Sequence, residues 1–338
     1  MTSDDRPQLS VVVLVPRRSR TLQWALERLN GQTIAGHIEC VLVAPTNEET
    51  QGALQELGRL AGVQTLHLGE MENEGSAKAA GMRAAKAPLV AFLEDHSLPD
   101  ASWAEALVGA HDSGKYAVVG PVVRNANPAS GASWGCFLVY YGQWMEALPE
   151  GALRHLPANH SCYRKDVLIA YGERLPVLLQ SESVLHRDLL RKGGRLFQER
   201  RAIAYHLNYS NTLTACSEYV LASRVFATDR ASGWSGLRRA VYACGSPLLP
   251  VIRTVRLLPI LRRSGLETGV MARAFLAMFS TLVAGALGEM LGYSVGAGAA
   301  TEHLFRFVER RDGAFSESEL AEAAERIRRR SAGATGGS

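Results

Sequence analysis

The sequence predicts an α/β fold: a doubly wound, mostly parallel sheet flanked by helices, with a C-terminal helical region appended. Three observations carry this. Short β-branched apolar runs alternate with segments of helical spacing over the first ~120 residues, as parallel strands with crossover helices do. The alternation weakens beyond the turn-rich stretch 125–131. From Arg238 onward, arginines are interleaved with long apolar runs that such a sheet does not require.

Taken in order, residues 9–15 read as a buried strand that Pro16 stops. Residues 21–29 carry Leu22, Ala25, Leu26 and Leu29 at helical spacing, closed by Asn30-Gly31. The pattern repeats as strand 38–43, helix 48–60, strand 63–68, small-residue helix 75–85 and strand 89–93. A helix over 101–110, with Asp100 as its N-cap, and a strand over 117–122 complete the alternating part. Residues 202–205 are strand-like, and no repeat of solenoid period is present.

Composition narrows the function. A chain of 338 residues, 47% hydrophobic, can bury one large domain plus an appendage. A net charge of +4, with no basic stripe among aromatic residues in the N-terminal half, gives no expectation of a nucleic-acid partner. Cys40, Cys136, Cys162, Cys216 and Cys244 are widely spaced without a C-x-x-C pair, so neither a disulfide framework nor a zinc site is expected. Residues 1–7 lack the basic start and apolar stretch of a secretion signal, which leads us to expect the catalytic part in the cytoplasm. On that expectation the sequons at Asn159 and Asn208 are accidental.

The strongest local signal is Glu94-Asp95-His96, three metal-capable side chains at the end of the strand 89–93. Ligands of a parallel sheet sit at that end of its strands. Carboxylates there can hold a divalent cation that neutralises a departing diphosphate; the alternative is a solvated turn before the next helix. Glu182 opens a helical segment ended by Gly193-Gly194, and is either a general base or a carboxylate favoured by the helix dipole. Residues 109–115 match the spacing of a phosphate-binding loop, but Tyr116 replaces the Ser or Thr and the match precedes a strand, so it is rejected. His206, alone after 202–205, reads more readily as a structural histidine than as a ligand.

In this order and at these distances, the segments over roughly residues 8–210 resemble the family 2 glycosyltransferases, which have the GT-A fold. Residues 9–16 with Arg20 look like that family's opening strand, proline and downstream arginine, and 75–85 like the helix before its acidic motif. Residues 89–96, then Leu98-Pro99-Asp100 and Trp103, look like the D-x-D region. Residues 159–168 resemble the acceptor-side segment, Glu182 falls on the second position of the E-D pair that supplies the base, and 195–197 and 204–206 resemble the strand and His that follow.

The resemblance implies inverting transfer: Glu182 deprotonates the acceptor while Mg²⁺ or Mn²⁺ stabilises the departing nucleoside diphosphate. By the same resemblance Asp95 and His96 hold the metal, and Pro16, Arg17, Arg20, Glu94 and Asp95 contact the nucleotide diphosphate sugar. His96 stands where the family has Asp, which tilts selectivity toward manganese. Ala44-Pro45-Thr46 lacks the acid that usually meets the donor nucleoside, and Arg17-Arg18-Ser19 departs from the Thr-Tyr-Asn type, placing arginines where they can meet the diphosphate.

Between Arg238 and Arg273 seven arginines face one acid, Glu267, among the apolar runs 248–252 and 255–261. That reads as an amphipathic segment on an anionic membrane surface. Residues 274–296, apolar but for Glu289, are just long enough to span a bilayer; the alternative is a pair of helices buried against the catalytic domain, favoured by Gly285, Gly288, Gly292 and Glu289. Residues 316–330 read as a charged helix with a Ser316–Glu319 capping box. The expected divisions are therefore a GT-A catalytic domain at 8–215, a helical membrane-associated region at 216–300, and a charged helix and tail at 301–338.

The chain is thus expected to pass a hexose from a nucleotide diphosphate sugar to a lipid-linked or polysaccharide acceptor, at the cytoplasmic side of the cell membrane. Two alternatives stand beside this. A non-catalytic sugar-nucleotide-binding scaffold subunit would explain the departures at Ala44–Thr46 and His96, and a nucleotidyltransferase would want a glycine-rich loop that Arg17-Arg18-Ser19-Arg20 lacks.

Overall fold

The computed structural model describes residues 6–309, 315, 317, 318, 320, 321 and 323–325, less 18, 53–56, 70, 72, 150–152 and 158. Four parallel strands, β1 (Leu9–Leu14), β2 (Ile38–Ala44), β3 (Gly62–His67) and β4 (Leu89–Glu94), make one half of the sheet. β1 and β2 are buried along nearly their whole length, which is why they read as continuous apolar runs, and β3 at the edge is partly exposed. The other half contains β5 (Ser97–Pro99), β6 (Val118–Asn125), β7 (Cys162–Arg164) and β8 (Leu196–His206). Across the sheet the order is β3-β2-β1-β4-β7-β6-β8-β5, with β6 parallel to β8 and with β7 and β5 antiparallel to their neighbours.

Helices cover both faces of the sheet: α1 (Leu22–Asn30) and α3 (Trp103–His111) on one, α2 (Glu74–Ala84), α6 (Leu175–Gln180) and α7 (Glu182–Arg191) on the other. Alternation along β1 separates the two cores. Val11 and Val13 pack with Leu26, Trp103 and Leu107, whereas Val12 packs with Ala77, Met82, Leu179 and Leu185. α4 (Gly131–Tyr141) and the short α5 (Lys165–Ile169) connect the remaining strands.

Two expectations need correction. Residues 45–52 are bends and turns, so the described part of 48–60 is not the expected helix; residues 53–56 lie outside the described residues. The physical cause is local: the backbone N–H and hydroxyl of Thr46 both donate to the Glu49 carboxylate, at 3.0 and 2.7 Å, an alternative to helical bonding. Asp100 is not the N-cap of α3, whose N-cap is Ser102; its backbone carbonyl instead accepts the Trp103 N–H at 2.9 Å and the Gln32 side chain at 2.8 Å.

The C-terminal region is helical: α8 (Thr212–Arg230), α9 (Gly236–Gly245), α10 (Leu249–Arg263), α11 (Thr268–Val295) and α12 (Ala300–Glu309). The segments Gly236–Arg263 and Thr268–Val295 are long and apolar enough to cross a membrane, with mean hydropathies of 1.3 and 1.8. One face of α11 is nevertheless packed on protein. A Cβ at Gly288 would lie 2.2 Å from the Val220 carbonyl of α8, so only glycine permits that approach, and Glu289 is ion-paired with Arg253 of α10. Its other face leaves Leu276, Val283 and Leu287 exposed, as α9 and α10 leave Leu237, Val241, Val251 and Val255 at 59–79% exposure. Ser316 and Glu319, the expected capping box, lie outside the described residues.

Candidate active site

β4 ends at Glu94, so Asp95 and His96 emerge beyond the carboxyl end of a central strand. β5 follows at once and pairs antiparallel with the last residues of β8, setting Ser97 opposite His206. This register brings a histidine 110 residues distant to His96: their Nε2 atoms are 3.0 Å apart. His206 Nε2 is also 3.1 Å from Glu94 Oε2, and His96 Nε2 is 3.8 Å from the same oxygen. Glu94, His96 and His206 each direct one ligand atom into a space where all three lie within 4.8 Å of one another.

The second ring nitrogens decide what these imidazoles can do. His96 Nδ1 sits 3.0 Å from Asp95 Oδ1, and His206 Nδ1 sits 2.9 Å from Asn208 Oδ1. Both partners are acceptors, which fixes the protons on Nδ1 and leaves two Nε2 lone pairs facing each other beside a carboxylate. Three acceptors in such proximity require a cation between them, a proton or a metal ion, and Asp95–His96 is the carboxylate–histidine pairing that orients a ligand. Glu94 is held in turn by Asn159 Nδ2 at 2.9 Å and by the Tyr141 hydroxyl at 3.2 Å.

Asp95, expected among the metal ligands, lies just behind this group. Its Oδ2 accepts from the hydroxyls of Ser19 and Thr21, which tie the turn after β1 to the end of β4. Of the residues expected at the donor, Pro16, Glu94 and Asp95 line one cavity with Lys78, Asn159 and Phe305. Arg17 and Arg20 are exposed after β1, and Arg20 is ion-paired with Glu317. The cavity holds about 40 Å³, because α12 lies across it and contributes Phe305 and Val308 to its wall.

Glu182 is buried at the first turn of α7, and its Oε1 accepts from Lys78 Nζ at 3.3 Å. The approach depends on Gly75. A Cβ there would fall 2.0 Å from the Pro176 carbonyl, so α2 lies directly against α6, and Lys78, one turn further, reaches Glu182. Burial pushes the Glu182 carboxyl above its ordinary value, a rise that Lys78 opposes. Burial works against the Lys78 ammonium too, but Glu182, Glu74 and Glu94 together hold it above its ordinary value.

Residues 10–192 match Glycosyl transferase family 2, more than half of the chain. The chain belongs to that family. As a family 2 glycosyltransferase it transfers a sugar from a nucleotide sugar. The crystal structure of S. aureus TarS 1–349 is similar in fold, at 13% identity and a TM-score of 0.50, over 90% of this chain and 91% of that one. TarS 1–349 in complex with UDP aligns at 12% identity and a TM-score of 0.47, over 81% and 90%. GalNAc-T7 with UDP, GalNAc and Mn²⁺ aligns at 16% identity and a TM-score of 0.45, over 59% of this glycosyltransferase and 43% of that chain, so this chain spans less than half of GalNAc-T7. Comparison with curated proteins gives no match.

Lys78, Asn159 as a partner of Glu94, and His206 as part of the converging group are the site features that sequence reading misses. Only His206 carries a local signal, as a histidine closing a strand.

Proposed function

We propose that this glycosyltransferase transfers a hexosyl group with inversion, with a divalent cation held by Glu94, His96 and His206, to a lipid-linked or polysaccharide acceptor at the cytoplasmic face of a membrane. The observation that carries the reading is the convergence of those three ligand atoms at the carboxyl end of β4, one cavity away from the buried Glu182–Lys78 pair. Two imidazole nitrogens and one carboxylate favour Mn²⁺ over Mg²⁺. A divalent ion bound there supplies charge stabilisation for the departing nucleoside diphosphate.

The protein's own groups do the rest. Glu182, whose ionised form Lys78 favours, accepts the proton of the acceptor hydroxyl; that oxygen bonds to the anomeric carbon from the face opposite the leaving group. The anomeric carbon–oxygen bond breaks, and its electron pair departs with the nucleoside diphosphate. Arg17 and Arg20, exposed in the turn after β1, offer guanidinium donors to the diphosphate. Membrane association is supported by the exposed apolar side chains of α9 and α10 set among Arg238, Arg239, Arg262 and Arg263.

The test is a thermal-shift screen against UDP-, GDP- and dTDP-sugars with and without Mn²⁺, because a ligand of the native state raises its melting temperature. One nucleotide class should give a manganese-dependent shift that His206→Ala abolishes. Glu182→Gln should keep that shift while losing transfer. No shift with any donor refutes the assignment of the cavity.

A further inference from the structure

On the side of α7 away from the sheet, a groove of about 1230 Å³ runs between the catalytic domain and the C-terminal helices. Arg187 and Arg191 enter it from α7, with Arg154 and Arg174 at its rim. Opposite them, α8 supplies Arg230, α9 supplies Arg238 and α10 supplies Arg256. Three acids share the lining, and two are engaged within the wall. Asp188 binds Lys192 at 2.8 Å and the Tyr171 hydroxyl at 2.9 Å, and Asp229 accepts from Ser181 at 2.6 Å while burial pushes its carboxyl up toward the neutral form.

Among the described residues no carboxylate pairs with Arg187, Arg191 or Arg256, while Arg230 donates to the Tyr293 hydroxyl at 3.1 Å and lies over the Trp234 and Tyr242 rings, its Nε buried without a hydrogen-bond partner. Burial, then the neighbouring Arg230 and Arg191, push Arg187 below the usual arginine value. Clustered guanidinium groups of this kind are suited to phosphate oxygens, which accept two parallel N–H donors from each.

The groove continues past Arg187 and Arg256 into a fissure of about 590 Å³ between α4, α8 and α10. Its walls carry Leu138, Val139, Phe226, Leu257 and Ile260, together with the mutually paired Arg253 and Glu289. Ser183 and Val184, the residues after Glu182, line the arginine end. A cationic basin that opens into a fissure with this apolar side, under helices with an exposed apolar face, is complementary to an amphiphile.

We infer that the groove is the acceptor site and that the acceptor is a glycosylated lipid phosphate or diphosphate, its phosphates held by Arg187, Arg191 and Arg256, its hydrocarbon lying in the fissure and a sugar hydroxyl serving as the nucleophile. This rests on the transferase reading above and names the acceptor's chemical class.

The test uses the full chain with three probes: a long-chain isoprenyl diphosphate in phosphatidylcholine nanodiscs, phosphatidylglycerol nanodiscs of matched charge, and inorganic pyrophosphate in solution. The isoprenyl diphosphate should bind saturably, and the Arg187→Gln/Arg191→Gln double variant should weaken it about 10- to 100-fold, the loss expected for charge-assisted contacts. Arg187→Lys should recover part of that loss, and an unchanged melting temperature for each variant excludes misfolding. Equal binding of phosphatidylglycerol, indifferent to the double variant, would reduce the groove to surface charge. Pyrophosphate binding as tightly as the lipid would make it a free-anion site, and absence of binding by the wild type would end the proposal. The donor thermal shift is read in parallel: its absence alongside arginine-dependent lipid binding removes the donor reading and leaves the groove standing.

Discussion

In the proposed reaction Glu182 is the base and Lys78 its partner, and their coupling implies a pH dependence. A base works only when ionised, and burial sets the Glu182 pKa above that of an ordinary carboxylate, so kcat/KM should fall on acidification through that raised value. Lys78→Met removes the opposing cation. The carboxyl then rises further, and the acid limb of the pH profile should move to higher pH; an unmoved limb would mean that Glu182 is not the group titrating. Glu182→Gln should lower kcat by about 10²- to 10⁴-fold, the contribution of a positioned base, with little change in the donor's KM. At this scale legibility followed proximity in the chain. Glu94, Asp95 and His96 are consecutive and could be recognised together, whereas the role of His206 depends on a strand register that no local pattern encodes.

Among the elements, buried strands and one-sided helices were legible and the exceptions have local causes. β1, β2 and β4 fall within one residue of expectation because burial on both faces demands uninterrupted apolar side chains. β5 and β7 have three residues each, too few for any periodicity, and so the antiparallel pairings around the site were not foreseen. The expected helix over 48–60 had apolar spacing, but side-chain bonds between Thr46 and Glu49 stabilise turns at its start. α11 was legible as an apolar helix, and its glycines hinted at the contact with α8. Gly288→Ala should destabilise the protein by about 1–3 kcal/mol, since a methyl group must displace backbone, and appear as a lower melting temperature. Gly269→Ala in the same helix meets nothing within 4 Å and should not lower it.

Across the whole molecule, the catalytic half and the helical half meet along α4, α8 and α11, and the exposed apolar and arginine side chains of α9 and α10 lie on the outside of that junction. The chain should sediment with anionic vesicles and less with neutral ones. If α9 and α10 lie on the surface, salt near 1 M, where screening acts within about 3 Å, should release most of it, and Arg262→Glu/Arg263→Glu should do so at lower salt. Retention at high salt would instead point to insertion of α11. The basic and apolar composition of this region was plain in the sequence; its packing was not, because the contacts join residues more than 60 positions apart, as Tyr219 meets Gly285.

α12 crosses the cavity beside Glu94 and Asp95 and leaves about 40 Å³, whereas small-molecule sites run to roughly 300–1,000 Å³. A nucleotide sugar proposed to bind beside Pro16, Glu94 and Asp95 therefore requires the side chains of α12 to give way. Phe305→Ala, which removes a ring from the cavity wall, should therefore strengthen donor binding, visible as a larger thermal shift with the matching nucleotide sugar.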